Sequence, residues 1–573
     1  MKKKNKNKKK SPVAAVFLIM AVILLVSLAA GQIRKRIPSK KRIEAKNYFH
    51  LQSDDEVAIT VDCAVSESTG KVMDGKTFLD YESIATSINP SFFYEEDTKT
   101  LIITSPRGTE TVDLSGSGSS GDGDVRTVDG TLYIAEDFLE KYSDIKINSF
   151  DKPNRLVVTT DFSYVTASVS ADSGVHVRLK PSIKSPIAAD LSKGDTVKAL
   201  DVNGDGSAAS GKQEGWTHVV TEDGFVGYCR DEYLTDYKKT EEDHTSPVGS
   251  YHTAGSEEKI NMVFHQTTSQ SSNKQLGDAI KDVSGVNVIA PTWFFLDSET
   301  GETSSLASKA YVDTAHSSGL RVWAVLNDFD GSVNSNKSTA AALSSYKNRQ
   351  TIISAVLDGL KASGADGLNI DFEKVTKDSA PDFLEFVREM RAALGEGGYV
   401  LSVDNYVPTF TSFMGRAEQA RVADYVVVMC YDEHTNDSEE AGSVASLPFL
   451  EEGIDETCAE VPAAQVIAAI PFYTRLWQTK EGGTPESTSY GMADAQAAVD
   501  SLGMKTEWDE KTGQYYGDLT VGDVRYQIWM EEEKSVEEKM KAIHKRNLAG
   551  VAEWKLGFEN SDIWQVISQN LQS

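Results

Sequence analysis

Eight short apolar runs recur through the second half of this chain, at residues 259–265, 286–291, 321–327, 366–373, 399–406, 425–432, 465–473 and 549–556, and helical patterns separate most of them. Parallel neighbours need a long, usually helical, crossover between them. A strand-and-helix alternation repeated this often predicts an α/β fold, a (β/α)8 TIM barrel over residues 257–573. The stretch 478–533, between the last two runs, is too long for an ordinary connection. It predicts a small inserted α+β subdomain walling one side of the barrel mouth.

The fourth run, Asp366-Gly-Leu-Asn-Ile-Asp-Phe-Glu373, carries the chemistry. Side chains alternate faces along a strand, so Asn369, Asp371 and Glu373 share one side and Leu368, Ile370 and Phe372 the other. Two carboxylates two residues apart on one face resist ionising together, which leaves one of them holding a proton near neutrality. A general acid requires that. An acidic pair at a strand end is more often simply solvated. Here helical stretches at 351–363 and 380–394 flank it, the setting in which acids at barrel strand ends are catalytic. Asp366 falls off the polar face by parity and is assigned a structural role.

The same run resembles the signature of glycoside hydrolase family 18, Asp-x-x-Asp-x-Asp-x-Glu, with Asn369 in place of the second Asp. Met429-Cys-Tyr-Asp432 and Gly550-Val-Ala-Glu-Trp-Lys-Leu-Gly557 follow in the order of that family. Asn287-Val-Ile-Ala-Pro-Thr-Trp-Phe294, Leu401-Ser-Val-Asp-Asn-Tyr-Val-Pro408, Tyr431-Asp-Glu-His434 and Ile470-Pro-Phe-Tyr473 are similar to its spore-cortex-lytic, peptidoglycan-directed branch. The resemblance implies retaining hydrolysis of a β-1,4 bond beside N-acetylglucosamine, with the substrate's own acetamido oxygen as nucleophile. Glu373 is implied as general acid/base, Asp371 as acceptor of the acetamido N–H, and Tyr431 as donor to the acetamido carbonyl. Asp432, Met429 and Asn369 are expected to line the substrate site, and Trp554 to form the floor beneath the sugar. Trp293, Trp323, Tyr406, Tyr473 and Trp477 are further strand-end aromatics that, with Trp554, could build stacking platforms for sugar rings, Trp293 and Tyr473 being assigned to the substrate site, although any single such residue is more often core. Asn327, Asp328, Asn405, Glu433 and His434 are further cleft candidates. Asn369 cannot ionise, so it is expected to orient Asp371 rather than share a proton with it. No metal site and no cofactor is called for. A chitinase, a catalytically silent glycan-binding protein and an adhesion or scaffold element remain the alternatives to a peptidoglycan hydrolase.

The remaining chain reads as envelope modules. Residues 48–162 alternate short strand patterns with a helical piece at 81–88, an α+β unit similar, through Leu79-Asp-Tyr-Glu-Ser-Ile, to the N-terminal-like module of copper amine oxidases. The Gly/Ser tract 115–124 interrupts it and is expected to be a flexible loop. Residues 165–237 resemble a bacterial SH3-like domain through Val175-His-Val-Arg-Leu-Lys-Pro-Ser182, Leu191-Ser-Lys-Gly-Asp195, Glu214-Gly-Trp216 and Gly224-Phe-Val-Gly-Tyr228. That pattern suits a small β-barrel. Trp216 and Tyr228 are expected in its core, and residues 238–256 as a linker.

At the N-terminus, residues 2–10 hold seven lysines and residues 12–31 form an apolar or small stretch of 20. Residues 1–47 are therefore expected to comprise a basic cytoplasmic tail, a membrane-spanning signal-anchor and a juxtamembrane stretch, with the catalytic part outside the cell membrane. Cleavage at Ser27-Leu-Ala29 would instead make the stretch a signal peptide. Net charge is −28, and subtracting the +13 of residues 1–50 leaves −41 for the rest. Such acidity excludes nucleic acid as a partner and offers no attraction to anionic wall polymers. A peptidoglycan or chitin-type glycan must then be held by stacking and hydrogen bonds. The cysteines Cys63, Cys229, Cys430 and Cys458 have no metal-ligand spacing. They read as buried thiols, with Cys430 and Cys458 a possible pair.

Overall fold

The computed structural model describes residues 16–17, 19–24, 36–115, 123–251, 258–395 and 397–572. These form two compact units, one of residues up to 90 together with 116–248, the other of residues 91–115 together with 249–573. Most of the Gly/Ser tract 115–124 lies outside the described residues.

In the first unit, residues 163–241 form a seven-stranded antiparallel sheet whose strand order is 187–191, 175–178, 226–230, 216–221, 196–199, 163–169 and 234–241. Val177, Val197, Val219 and Cys229 fill its core, and Trp216 is buried as expected. The same unit holds a second sheet in which Glu56–Val61 pairs in parallel with Arg155–Thr159, with the helix Glu136–Tyr142 beside it.

The expected membrane-spanning helix at 12–31, and with it the cell-membrane location and the membrane as a partner, is corrected. Among the described residues no helix is long and apolar enough to cross a membrane. Of that stretch only residues 16–17 and 19–24 are described, and they are helical. The rest of the stretch lies outside the described residues.

The second unit is built on eight parallel strands: β1 (Ile260–His265), β2 (Val288–Leu296), β3 (Arg321–Asn327), β4 (Gly367–Asp371), β5 (Val400–Tyr406), β6 (Tyr425–Met429), β7 (Val466–Pro471) and β8 (Gly550–Trp554). Each pairs with the next, and β8 returns to β1, so the sheet closes into a (β/α)8 barrel without an edge. Strand parity divides the core in two. Val322, Ala324, Leu368, Ile370, Val426 and Val428 face the surrounding helices, whereas Trp323, Val325, Val427 and Met429 fill the barrel interior. Gly367 begins β4 because Trp323 occupies its space: a Cβ there would lie 2.8 Å from the Val400 carbonyl oxygen and 2.9 Å from the indole. Between β7 and β8 the insert forms a five-stranded antiparallel sheet, 486–491, 473–480, 524–530, 514–521 and 506–509 in order, with the helix Met492–Leu502 packed on it.

Residues 91–115 join the barrel rather than the sheets around them in sequence. Their three antiparallel strands, Phe92–Glu95, Thr100–Ser105 and Gly108–Asp113, lie against the helices Tyr346–Ser363 and Ala380–Leu394. Arg349 is fully buried there, and its guanidinium pairs with Glu389 at 2.7 Å and Glu95 at 2.9 Å. The Thr104 hydroxyl donates to Glu385 at 2.7 Å. A buried guanidinium demands paired carboxylates, and one of the two comes from this distant segment.

Candidate active site

At the C-terminal end of the barrel, three alternate positions of β4 and its extension point inward. Asn369 is completely buried and Asp371 is 3% exposed. Glu373 follows just past the strand end, where its backbone N–H donates to Asp328 Oδ1 at 2.9 Å and that of Lys374 to Asp328 Oδ2 at 3.0 Å. Thr339 donates to the same carboxylate. Asp328 therefore fixes the turn that aims Glu373, a task its place at the end of β3 did not signal.

The Tyr406 hydroxyl, at the end of β5, donates to Glu373 Oε2 at 2.6 Å. Burial holds the Glu373 carboxyl above its ordinary range, and the Tyr406 bond pulls it partly back. Asp371 is driven well above its ordinary range by burial and then by the acids Asp404, Glu373, Asp328 and Asp330. Its Oδ1 finds no hydrogen-bond partner among the described residues. A carboxyl so placed is kept largely protonated, or waits for a donor.

The Asn369 amide donates to Ser402 Oγ at 2.9 Å and to Asp404 Oδ1 at 2.7 Å. It does not bond Asp371, so the expectation that it orients Asp371 is corrected: adjacent β5 supplies its acceptors. Asp404 was not anticipated as a site residue. Parity along Ser402, Asp404 and Tyr406 was the available signal, since an acid among inward positions of a barrel strand has no structural reason to be there.

Tyr431 continues the inward row of β6 after Met429, and both pack in the barrel interior. Burial, then the negative charge around Asp371 and Asp404, makes the Tyr431 hydroxyl a very reluctant acid, so it remains a donor. Asp432 turns the chain with φ 59° and accepts from the Tyr473 hydroxyl at 2.6 Å. Trp554, at the end of β8, is half-buried against Phe264, with ring centroids 5.5 Å apart. The inward residues Asn369, Asp371, Met429, Tyr431, Tyr473 and Trp554 thus converge with Glu373 on one mouth.

Trp293 does not join them, and its assignment to sugar stacking is corrected. It is completely buried in the outer core, its indole N–H donating to Asn273 at 2.9 Å and its ring edge-on to Tyr311. Asn405 likewise faces outward, bonded to Gln419, and His434 Nδ1 donates to the Ser443 carbonyl within its own loop. That loop is tied to the insert: Trp477 Nε1 donates to the Gly442 carbonyl, and Ser443 to Gln514. Asp366 keeps the structural role parity implied, accepting from Val322 N at 2.7 Å. All four cysteines are free thiols, so Cys430 and Cys458 are not paired.

A polar cavity of about 490 Å³ opens at the ends of β1, β2 and β3, lined by Gln266, Thr267, Phe295, Asp297, Leu306 and Asp330 among others. Neither Asp371 nor Glu373 lines it; it extends the mouth sideways. Among the described residues no cluster of His, Cys, Asp and Glu is arranged to hold a metal ion.

The family model of glycosyl hydrolases family 18 matches residues 225–559. The chain belongs to that family. A bacterial SH3 domain model matches residues 173–235. Among relatives, the "Uncharacterized glycosylase YvbX" of Bacillus subtilis (strain 168) is 25% identical over 297 residues, 49% of this chain and 84% of that protein. The "Cortical fragment-lytic enzyme" of Bacillus anthracis is 20% identical over 242 residues, 40% of this chain but only 56% of its own length. Among solved structures, the Bacillus cereus spore cortex-lytic enzyme SleL aligns with TM-score 0.49 and 17% identity, covering 58% of this chain and 77% of that one. Family 18 membership makes the chain a glycoside hydrolase on a TIM barrel.

Proposed function

We propose that this family 18 domain hydrolyses β-1,4 bonds beside N-acetylglucosamine in peptidoglycan, by a retaining mechanism in which the substrate's acetamido oxygen is the nucleophile. One observation carries the reading: Glu373, Asp371 and Tyr431 meet at the barrel mouth with Asp371 unpaired. Glu373 protonates the leaving oxygen and later takes a proton from water. Asp371 accepts the acetamido N–H and steadies the positive charge that develops on the oxazolinium ring. Tyr431, kept as a donor, holds the acetamido oxygen against the anomeric carbon. Asp432, Met429, Tyr473 and Trp554 shape the sugar site around these groups. The relatives named cortical fragment-lytic enzymes support a cell-wall glycan as substrate.

The test is digestion of purified peptidoglycan and of chitin oligomers by the full chain and by Glu373→Gln, with identification of the new reducing ends. Muropeptides ending in N-acetylglucosamine, released by the unaltered protein only, are expected. Cleavage confined to chitin oligomers would make it a chitinase, and binding without cleavage a glycan-binding protein.

A further inference from the structure

Two carboxylates lie buried side by side in the barrel interior. β4 and β5 run parallel with Gly367 opposite Val400 and Ile370 opposite Val403. One step further places Asp371 beside Asp404, both on the inward face, on strands about 4.8 Å apart. Each is almost completely buried, and each keeps one oxygen, Asp371 Oδ1 and Asp404 Oδ2, without a partner among the described residues. The other Asp404 oxygen already accepts the Asn369 amide. The charged groups acting most strongly on Asp371 are all acids. Two adjacent buried carboxylates without a cation cannot both ionise, whereas one proton between them satisfies both orphaned oxygens.

We propose that Asp404 is a positioning residue that shares a single proton with Asp371 across the β4–β5 register, so that Asp371 can change charge during the reaction without exchanging protons with solvent. This deepens the proposed function and rests on it. As the acetamido oxygen bonds to the anomeric carbon, the glycosidic C–O bond breaks and Glu373 gives its proton to the leaving oxygen. Positive charge then appears on the oxazolinium, and the shared proton passes from Asp371 to Asp404. Asp371 is left as the carboxylate that accepts the ring N–H. When water opens the ring, the proton returns. The pair carries one negative charge throughout, and no co-reactant is consumed. Asn369 holds Asp404 in place by its amide, so the carboxyl that position 369 lacks is supplied by the neighbouring strand. Burial raises both partners in the same sense. The other titratable groups facing the pair are Glu373, Asp328, Asp330, Tyr406 and Tyr431.

The experiment compares the full-length protein with Asp404→Asn by infrared difference spectroscopy near neutral pH, alongside pH–rate profiles on peptidoglycan. The substitution is expected to shift the protonated-carboxyl band of the pair, because the proton on Asp371 then faces an amide in place of a carboxylate, to lower kcat by about 10-fold or more with KM within about twofold, and to shift the pH profile. The double variant Asn369→Asp with Asp404→Asn, which returns an acid to the interior, is expected to recover part of kcat. Should Asp404→Asn fail to fold, Asp404→Ser offers Asn369 a smaller acceptor and the same readouts. An unchanged band pattern with an unchanged pH profile would overturn the proposal. Activity measured on the unaltered protein tests the proposed function separately, since the infrared band is read without substrate.

Discussion

The Tyr406 hydroxyl donates to Glu373 Oε2 at 2.6 Å, joining the end of β5 to the carboxyl past the end of β4. A donor on one oxygen fixes the rotamer of Glu373 and stabilises its ionised form, which the acid must become once it has given up its proton. Without that bond the carboxyl, already raised by burial, rises further. Tyr406→Phe is expected to lower kcat/KM by about 10-fold and to move the alkaline limb of its pH profile upward, since the acid form persists to higher pH. A rate profile across pH 4–9 checks both.

Glu373→Gln removes the proton donor and keeps the shape. Turnover is expected to fall by about 10³-fold or more, within the range one positioned acid contributes. The melting temperature should hold or rise, because a carboxyl that burial disfavours has been replaced by a neutral amide.

Several buried carboxyls are raised by burial above their ordinary values: Asp404 to about 8, Glu389 to about 7 and Asp382 to about 6, with Asp371 and Glu553 higher than usual too. The folded state therefore holds more protons than the unfolded chain above pH 4 or so, where free carboxyls ionise. Their stability contribution is complete below about pH 4 and is lost as pH rises toward 8, at up to about 1.4 kcal/mol per pH unit for each extra proton. Thermal melts between pH 5 and 8 should show a falling midpoint, with a shallower fall in Asp404→Asn.

Arg349 is buried between Glu95 and Glu389. Glu95→Ala removes one carboxylate and leaves the guanidinium under-compensated, an effect of about 3 kcal/mol when a buried pair is broken. Chemical denaturation should report that loss, and proteolysis should open first at residues 91–115.

Trp293 and Trp554 make opposite predictions. Trp293→Phe leaves Asn273 without its indole donor in the outer core and should cost about 1–3 kcal/mol of stability with KM unchanged. Trp554→Ala should raise KM for glycan with little change in melting temperature.

Period-two alternation and the strand–helix rhythm are local, so the barrel, the inward row Asn369, Asp371, Glu373 and the structural place of Asp366 were legible in the sequence. What a single strand cannot reveal is who stands beside it. Parallel register alone brings Asp404 next to Asp371 and Tyr406 onto Glu373, because the backbones of β4 and β5 are joined although residues such as Ile370 and Val403 stand 33 positions apart in the chain. The same limit hid the outward face of Trp293, whose strand runs on to Leu296, well past the apolar run read at 286–291. It also hid the docking of residues 91–115, decided by a buried Arg349 that needs the distant Glu95. Local chemistry set which residues can do the work, and tertiary burial, by stripping water from paired carboxyls, decided which of them hold protons.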